Sequence, residues 1–484
     1  IFTSGMSLWA FQSRDAARDQ RREAEGLVAF MLGDLKEKLE PIGKLDALDG
    51  VGSRVLTYYS KQDASELSDA GLMQRAQALS LTAQVALERG KVDEAEQLYR
   101  EAMEGTGEAL ARNPDEPQRL FDHAQNIFWV GELARKRGRI DRAETAFREY
   151  KRLADQMVAL EPDNLKWRME VAYAKSNLGI ALYLQRRFDE AARLFGESVR
   201  ASAGLAAIDA SNNEYGRAVA NQLAWLADAQ AAQGGIDQAI ASRKRQIAVI
   251  NQLAGVGGGD VRLDEYRIPA RQGLGLLLSS SGDSDAAVEQ LRLAVAESER
   301  LIQIEPESAT WKGFAASARL HLAGVLLDSG LREEAAREVA TGCYLADSYI
   351  KRATNVAKAA TMRTDCFAMR ARLALASGAR EQALALAQRA LASARTERSG
   401  DWIADPRYSV AAAYRLLGDV HQRLGDRNAA HGAWAAGLSQ LPAGFKERPR
   451  EMHERAELLK RVGQTDEARQ LSDRLRAFGF RRLS

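Results

Sequence analysis

His123, His321, His421, His431 and His453 are the side chains in this 484-residue chain best suited to hold a metal ion or move a proton near neutral pH. A helical zinc pair needs two histidines at short helical spacing on one face, and no two of the five have it. A serine nucleophile of the GxSxG kind is absent, and neither Cys343 nor Cys366 has a histidine near it in the pattern. GVGGGD at 255–260 has the glycines of a phosphate cradle without the Lys and Ser/Thr that must follow, so it reads as a link. GLG at 273–275 lies within a helical pattern and carries no such signal. Carboxylates are abundant, as on any solvated helical surface, and nothing pairs two of them into an acid and a base. The sequence therefore leads us to expect no catalytic site, no metal and no cofactor.

The 68 basic and 66 acidic side chains leave a net charge of +2, too balanced for the dense positive footprint that nucleic acid requires. The nearest basic cluster, RRL at 481–483 after Arg474 and Arg476, reads as a helix end whose cations meet the helix dipole. With 46% hydrophobic and 28% charged residues the chain can build a soluble core. Cys343 and Cys366 flank a turn centred near Thr354, so antiparallel helices would hold them at similar heights. A bridge needs the two side chains to face each other between axes about 8–10 Å apart, and the plainer reading is two buried thiols.

The elements that position these side chains announce themselves by repetition. GKVDEA at 90 returns as GRIDRA at 138, RRFDEA at 186, GGIDQA at 234, GDSDAA at 282, GLREEA at 330 and GAREQA at 378, always 48 residues on. GDRNAA follows at 425 and GQTDEA at 463. Gly90, Gly138, Gly234, Gly282, Gly330 and Gly378 are expected to close one helix in the left-handed conformation. Asp93, Asp141, Asp189, Asp237 and Asp285 are expected to cap the next, with Glu96 and Glu144 at capping-box spacing from the first two. Ala95, Ala143 and Ala191 then stand opposite small residues at 83, 131 and 179, with Tyr99, Phe147 and Phe195 one turn further along. NPDE at 113, EPDN at 161, DASN at 209, GGGD at 257 and EPES at 305 mark the opposite turns. Trp167, Tyr215, Leu263 and Trp311 form one column and are expected in the core.

Paired helices, a tight Gly-to-Asp turn and this small–large pattern resemble the tetratricopeptide repeat, with LG at 178–179, Ala191 and Phe195 matching its signature. The resemblance runs over roughly residues 70–475 and implies an all-α fold, a right-handed TPR-like α-solenoid. The departure is length. A 48-residue unit against a norm of about 34 adds roughly two turns to each helix, giving helices of about 20 residues and ~30 Å. In that family the first helix of each pair lines the concave wall. Carried over, the wall positions are Gln77, Gln84, Gln125, Phe128, Glu132, Tyr173, Ser176, Tyr183, Asn221, Asp228 and Gln272, a candidate surface for a protein or peptide ligand. The Lys and Asn set with which chaperone-binding relatives grip a C-terminal carboxylate is absent from these positions. Trp129 and Trp225 align 96 residues apart and read as core beside a packing position, with a peptide anchor as the sharper alternative.

The organisation that follows is residues 1–21 as a linker helix carrying the end of a transmembrane segment, 22–60 as a degenerate N-terminal cap, 61–425 as the array and 426–484 as the C-terminal cap. IFTSGMSLWAF at 1–11 is too short to span a bilayer, which takes about 20 residues, and a charged helical stretch follows it. Leu27, Val28, Met31, Leu35 and Leu39 then repeat at helical spacing. AEGLVAFMLGDLKEKLEPIGKLDALDGVGSRVLTYY at 24–59 resembles a segment of proteobacterial membrane signalling proteins, where it follows one transmembrane helix and precedes such repeats. That resemblance implies a non-catalytic sensor or scaffold region, membrane contact through the N-terminal segment alone, a capacity to self-associate, and a Ser/Thr kinase or Toll/interleukin-1-receptor-type output module elsewhere. The alternative is a soluble module controlling a cytoplasmic ATPase or transcription factor. The family arrangement places the repeats in the periplasm, whereas Arg14, Arg18, Arg21 and Arg22 favour a cytoplasmic flank.

Overall fold

The computed structural model describes residues 26–28, 30, 45–60, 67–257, 261–353, 356–397, 405–444 and 446–481, and among them every regular element is a helix. The expected linker helix at 1–21 lies outside these residues, and the N-terminal cap is described only in part. None of the described helices is long and apolar enough to cross a membrane. The chain forms two compact units, residues 1–174 and 175–484.

The first unit holds α1 (Leu45–Tyr59), α2 (Asp69–Glu88), α3 (Val92–Arg112), α4 (Pro117–Lys136), α5 (Ile140–Leu160) and the first half of α6 (Leu165–Leu184). The second holds the rest of α6, α7 (Phe188–Ile208), α8 (Asn213–Gln233), α9 (Ile236–Gly257), α10 (Val261–Ser281), α11 (Ser284–Ile304), α12 (Ala309–Asp328), α13 (Arg332–Arg352), α14 (Val356–Ala376), α15 (Arg380–Ala394), α16 (Pro406–Leu424), α17 (Arg427–Gln440), α18 (Pro449–Arg461) and α19 (Thr465–Ala477). Helices of 20 and 21 residues alternate through the first two hairpins, as the period requires. Trp167, Tyr215, Leu263 and Trp311 are all buried, the core of the added turns.

The turn glycines take φ values of 72–97°, left-handed as expected. Arg186 occupies the same place in its repeat at φ 62°, a conformation that costs a side chain with Cβ about 1–2 kcal/mol. The aspartates do not cap. Lys91, Arg139 and Arg187 are the N-cap residues of α3, α5 and α7 and make no side-chain cap bond. Each helix starts two residues earlier than the aspartate pattern implies, because the residue after the left-handed one already accepts the first helical bond, as Lys91 O does from Ala95 N at 3.1 Å. Asp93, Asp141 and Asp189 stand in the first turn, where their charge meets the positive end of the dipole. Where the residue after the turn glycine is itself an aspartate, it does cap: Asp283 accepts from Ala286 N and Asp426 from Ala429 N.

At Gly179 the small residue faces a ring rather than another small residue, and at Gly131 it faces both a ring and Ala146. A Cβ on Gly131 would lie 2.9 Å from the Phe147 ring, and one on Gly179 would lie 2.8 Å from Phe195. The cysteines are likewise not free: Cys343 of α13 and Cys366 of α14 form a disulfide with Cα atoms 5.6 Å apart. Their helices turn their cysteine faces toward each other within one apolar cluster that includes Val339, Tyr349 and Met362. Arg474 and Arg476 stand in the last turn of α19 as expected, but Arg481 does not belong to the helix end. Arg481 lies beyond the end of α19, and its N–H donates to the carbonyl of Ser280 at 2.8 Å.

Candidate functional site

In the first unit α2 and α4 present their polar faces to each other across a cleft of about 630 Å³. Gln74, Gln77 and Gln84 project from α2, and Asp122, Gln125, Asn126 and Trp129 from α4. The two sets arise because residues three or four apart share a helix face, so one stripe per helix reaches the same space. Tyr99 of α3 stacks on Trp129 with centroids 5.4 Å apart and planes at 12°, which fixes the indole at the end of the cleft.

Hydrogen bonds hold the polar wall in place. Ser80 Oγ donates to Asn126 Oδ1 at 2.7 Å, and Asn126 Nδ2 donates to the Asp122 carbonyl at 3.0 Å. Tyr59 OH donates to Gln74 Oε1. Gln125 Nε2 donates at 2.9 Å to Glu170 Oε2, which also accepts from Tyr150 OH. Gln77 is exposed in the cleft. Asp122 is the one carboxylate among the cleft-lining residues. Burial pushes its carboxyl up to about 6, against the opposing pull of the Gln118 hydrogen bond and the Lys166 charge. Gln118 Nε2 lies 2.9 Å from Asp122 Oδ1. Burial in turn lowers the neighbouring His123, whose Nδ1 lies 2.9 Å from Thr106 Oγ1.

Primary amides donate and accept at once, which matches the alternating N–H and C=O groups of an extended peptide. Such a wall over an aromatic platform, with a carboxylate that ionises near neutral pH, can hold a main chain and one cationic side chain.

Gln77, Gln84 and Gln125 of the sequence-derived surface meet in this cleft. Phe128 packs instead among Trp129, Phe147 and Tyr150, and Tyr173 rests against the same apolar cluster. Glu132 is engaged by both Nε and Nη2 of Arg135 at 2.7 Å. In the second unit Ser176, Tyr183 and Gln272 are buried. Tyr183 packs on Phe188 and on Trp225, and Gln272 donates to the Phe314 carbonyl at 3.1 Å. Trp225 stacks on Phe195, so both aligned tryptophans pack on the second helix of the preceding repeat. Asp228 pairs with Arg243 at 2.5 Å, while Asn221 is exposed. Asp122 and Asn126 were missed from sequence. Their signal is their position on the α4 face, three residues before and one after Gln125.

The tetratricopeptide repeat profile matches residues 171–202, spanning the second part of α6 and most of α7. No curated protein matches the chain by sequence. Among solved structures, the apo form of RapI is similar over 86% of this chain and 97% of its own, at 11% identity and a TM-score of 0.56. A Rap protein complexed with competence and sporulation factor covers 94% of this chain and 98% of its own at 12% identity and a TM-score of 0.46. The signal transduction ATPase with a tetratricopeptide repeat sensor from Pyrococcus horikoshii matches 89% of this chain and 55% of its own, at 13% identity and a TM-score of 0.45. The chain is thus a TPR-like repeat region, an α-solenoid with lengthened repeats.

Proposed function

We propose that this chain is a non-catalytic peptide- or protein-binding scaffold, and that the α2–α4 cleft receives an extended segment of its ligand. The observation that carries this reading is the wall of primary amides facing a 630 Å³ space beside the Tyr99–Trp129 stack. A linear peptide library displayed on phage and selected against the whole chain tests it. Peptides recovered on the wild type should lose about tenfold or more in affinity for Gln77→Ala/Gln125→Ala, because each wall amide then leaves a main-chain group unpaired. Unchanged affinity would place the ligand elsewhere.

In the same reading the scaffold is the sensor half of a membrane-tethered bacterial signalling protein, with its repeats in the periplasm. The Cys343–Cys366 bridge supports that compartment, since such bonds persist in oxidising surroundings and are rare in the cytosol. Alkylation of intact cells followed by mass spectrometry decides the matter. A bridge recovered in the native host fits the periplasm, and two alkylated thiols fit the soluble cytoplasmic regulator.

A further inference from the structure

The second unit closes on itself. Its first helices touch in sequence, α8 to α10, α10 to α12, α12 to α14, α14 to α16 and α16 to α18, and α18 then touches α8. Six helices thereby form a ring. The join is made by Lys446 and the first turn of α18 and by residues 478–481 that follow α19, laid across three consecutive turns of the array. At the α6–α7 turn, Arg186 Nη1 donates to Glu451 Oε2 at 2.6 Å and to the Lys446 carbonyl at 3.0 Å, while Nη2 donates to Glu451 Oε1 at 2.9 Å. Lys446 Nζ lies 2.9 Å from Asp189 Oδ2. At the α8–α9 turn, the Phe478 ring covers Gly234 so closely that a Cβ there would sit 2.3 Å from Cγ. At the α10–α11 turn, Arg481 N–H reaches the Ser280 carbonyl at 2.8 Å.

The material on the two sides of the cap differs. Toward α16 and α17 it is stacked as any repeat is, through buried Leu458 among Tyr408, Ala411 and Trp434, with ion pairs from Arg415 to Glu454 and Arg461 to Asp419. Toward α6–α11 the contact is polar and largely buried: Arg186 meets Glu451, Arg448 hydrogen-bonds Tyr183, Lys446 lies over the Phe188 ring, and Phe478 covers Gly234. Polar contacts of this kind are the ones that separate and re-form. Arg186 marks the join in the sequence as well. Where the other repeats place glycine at the left-handed turn position, this repeat keeps a long cation whose guanidinium spans the join.

We propose that the second unit is a gated ring, held shut by Arg186 on Glu451, which opens reversibly at this join and gives access to the faces of the six first helices. The gate does not depend on the α2–α4 cleft being a peptide site.

The Arg481 amide reports closure directly, because its acceptor lies across the join. In the whole chain, hydrogen exchange at Arg481 and small-angle scattering are compared for wild type, Arg186→Gly and Phe478→Ala, each at about 0.1 M and 1 M salt. Arg186→Gly restores the residue the turn prefers, so misfolding is not its expected effect. We expect it to speed Arg481 exchange about ten- to a hundredfold and to enlarge the radius of gyration, with protection in α10–α15 unchanged. Salt alone should change the wild type little, because the Arg186–Glu451 pair is largely buried and such pairs are screened far less than exposed ones. A dimer exchanging its C-terminal hairpins would also show release. Unchanged exchange and radius in Arg186→Gly at 1 M salt would make the join a fixed part of the core and overturn the proposal. Opening in Phe478→Ala alone would reject Arg186 as the group that holds the gate.

Discussion

Asp122 shows how a single environment decides charge. Its folded-state value near 6 lies above the ordinary 3.8, so folding favours the protonated acid. Below the unfolded value the residue contributes nothing; between 3.8 and about 6 the unfolded chain ionises while the folded one stays protonated, so the burden on the folded state grows there and levels off above about 6. Asp122→Asn keeps a partner for Gln118 and removes that burden. It should stabilise the chain by about 1–2 kcal/mol at pH 7.5 and hardly at all at pH 4, as read by urea unfolding at the two pH values. An equal effect at both would mean a solvated carboxylate. Gly179 poses an opposite choice of sign. Alanine gains up to about 1 kcal/mol of helix propensity, but its methyl would meet the Phe195 ring at 2.8 Å, and overpacking costs about 1–3 kcal/mol. Gly179→Ala should therefore destabilise, and Phe195→Ala more so, by about 3–5 kcal/mol, in calorimetric melts. Gly179 and Phe195 were each legible as members of the repeated motif, but their contact was not, since the sequence set small against small across the hairpin. Asp122 was not, since a carboxylate on a polar stripe looks the same whether the stripe faces bulk water or a narrow cleft.

For helices, length and order were readable and rotation was not. Gly markers 48 residues apart fix where each helix stops, whatever packs around it. Which side chains face inward depends on the angle of each helix about its own axis, and one residue shifts that by about 100°. Two added turns per helix change that angle relative to a 34-residue repeat. Ser176, Tyr183 and Gln272 are consequently buried while Gln77 and Asn221 are exposed. The same uncertainty of rotation hid the disulfide, because similar heights on α13 and α14 do not make two cysteines face each other. The bridge spans 23 residues and should stabilise the α13–α14 pair by about 3 kcal/mol through the entropy it removes from the unfolded chain. Reduction, or Cys343→Ala/Cys366→Ala, should lower the melting temperature and speed amide exchange in those two helices first. Exchange that is unaffected by reductant would show that the packing of Val339, Met362 and Tyr349 already suffices.

An open stack and a closed ring lose their structure differently. In a stack each hairpin is held by its neighbours, so the terminal hairpin lacks one interface and frays before the middle. In the second unit α18 touches both α16 and α8, so the last hairpin has a partner on each side. Native-state exchange should then find the slowest amides of α16–α19 protected to within about tenfold of those in α10–α12, although α17, α18 and α19 have only 14, 13 and 13 residues. Acid should convert the ring into a stack. Burial raises the Glu451 carboxyl, but hydrogen bonds from Arg186 and Arg448 outweigh it and hold the group below its ordinary 4.5. A depressed folded value means that the stabilisation is whole above the unfolded value and fades as pH falls through the folded one. Between neutral pH and about pH 5 the protection profile should stay level, and at lower pH it should slope down toward α19 as Arg186 loses its anionic partner. Arg186→Gly should show that slope already at neutral pH and add little in acid. A slope in the wild type at neutral pH would mean that the C-terminal hairpins gain no stability from meeting α8, and that the second unit behaves as an open array.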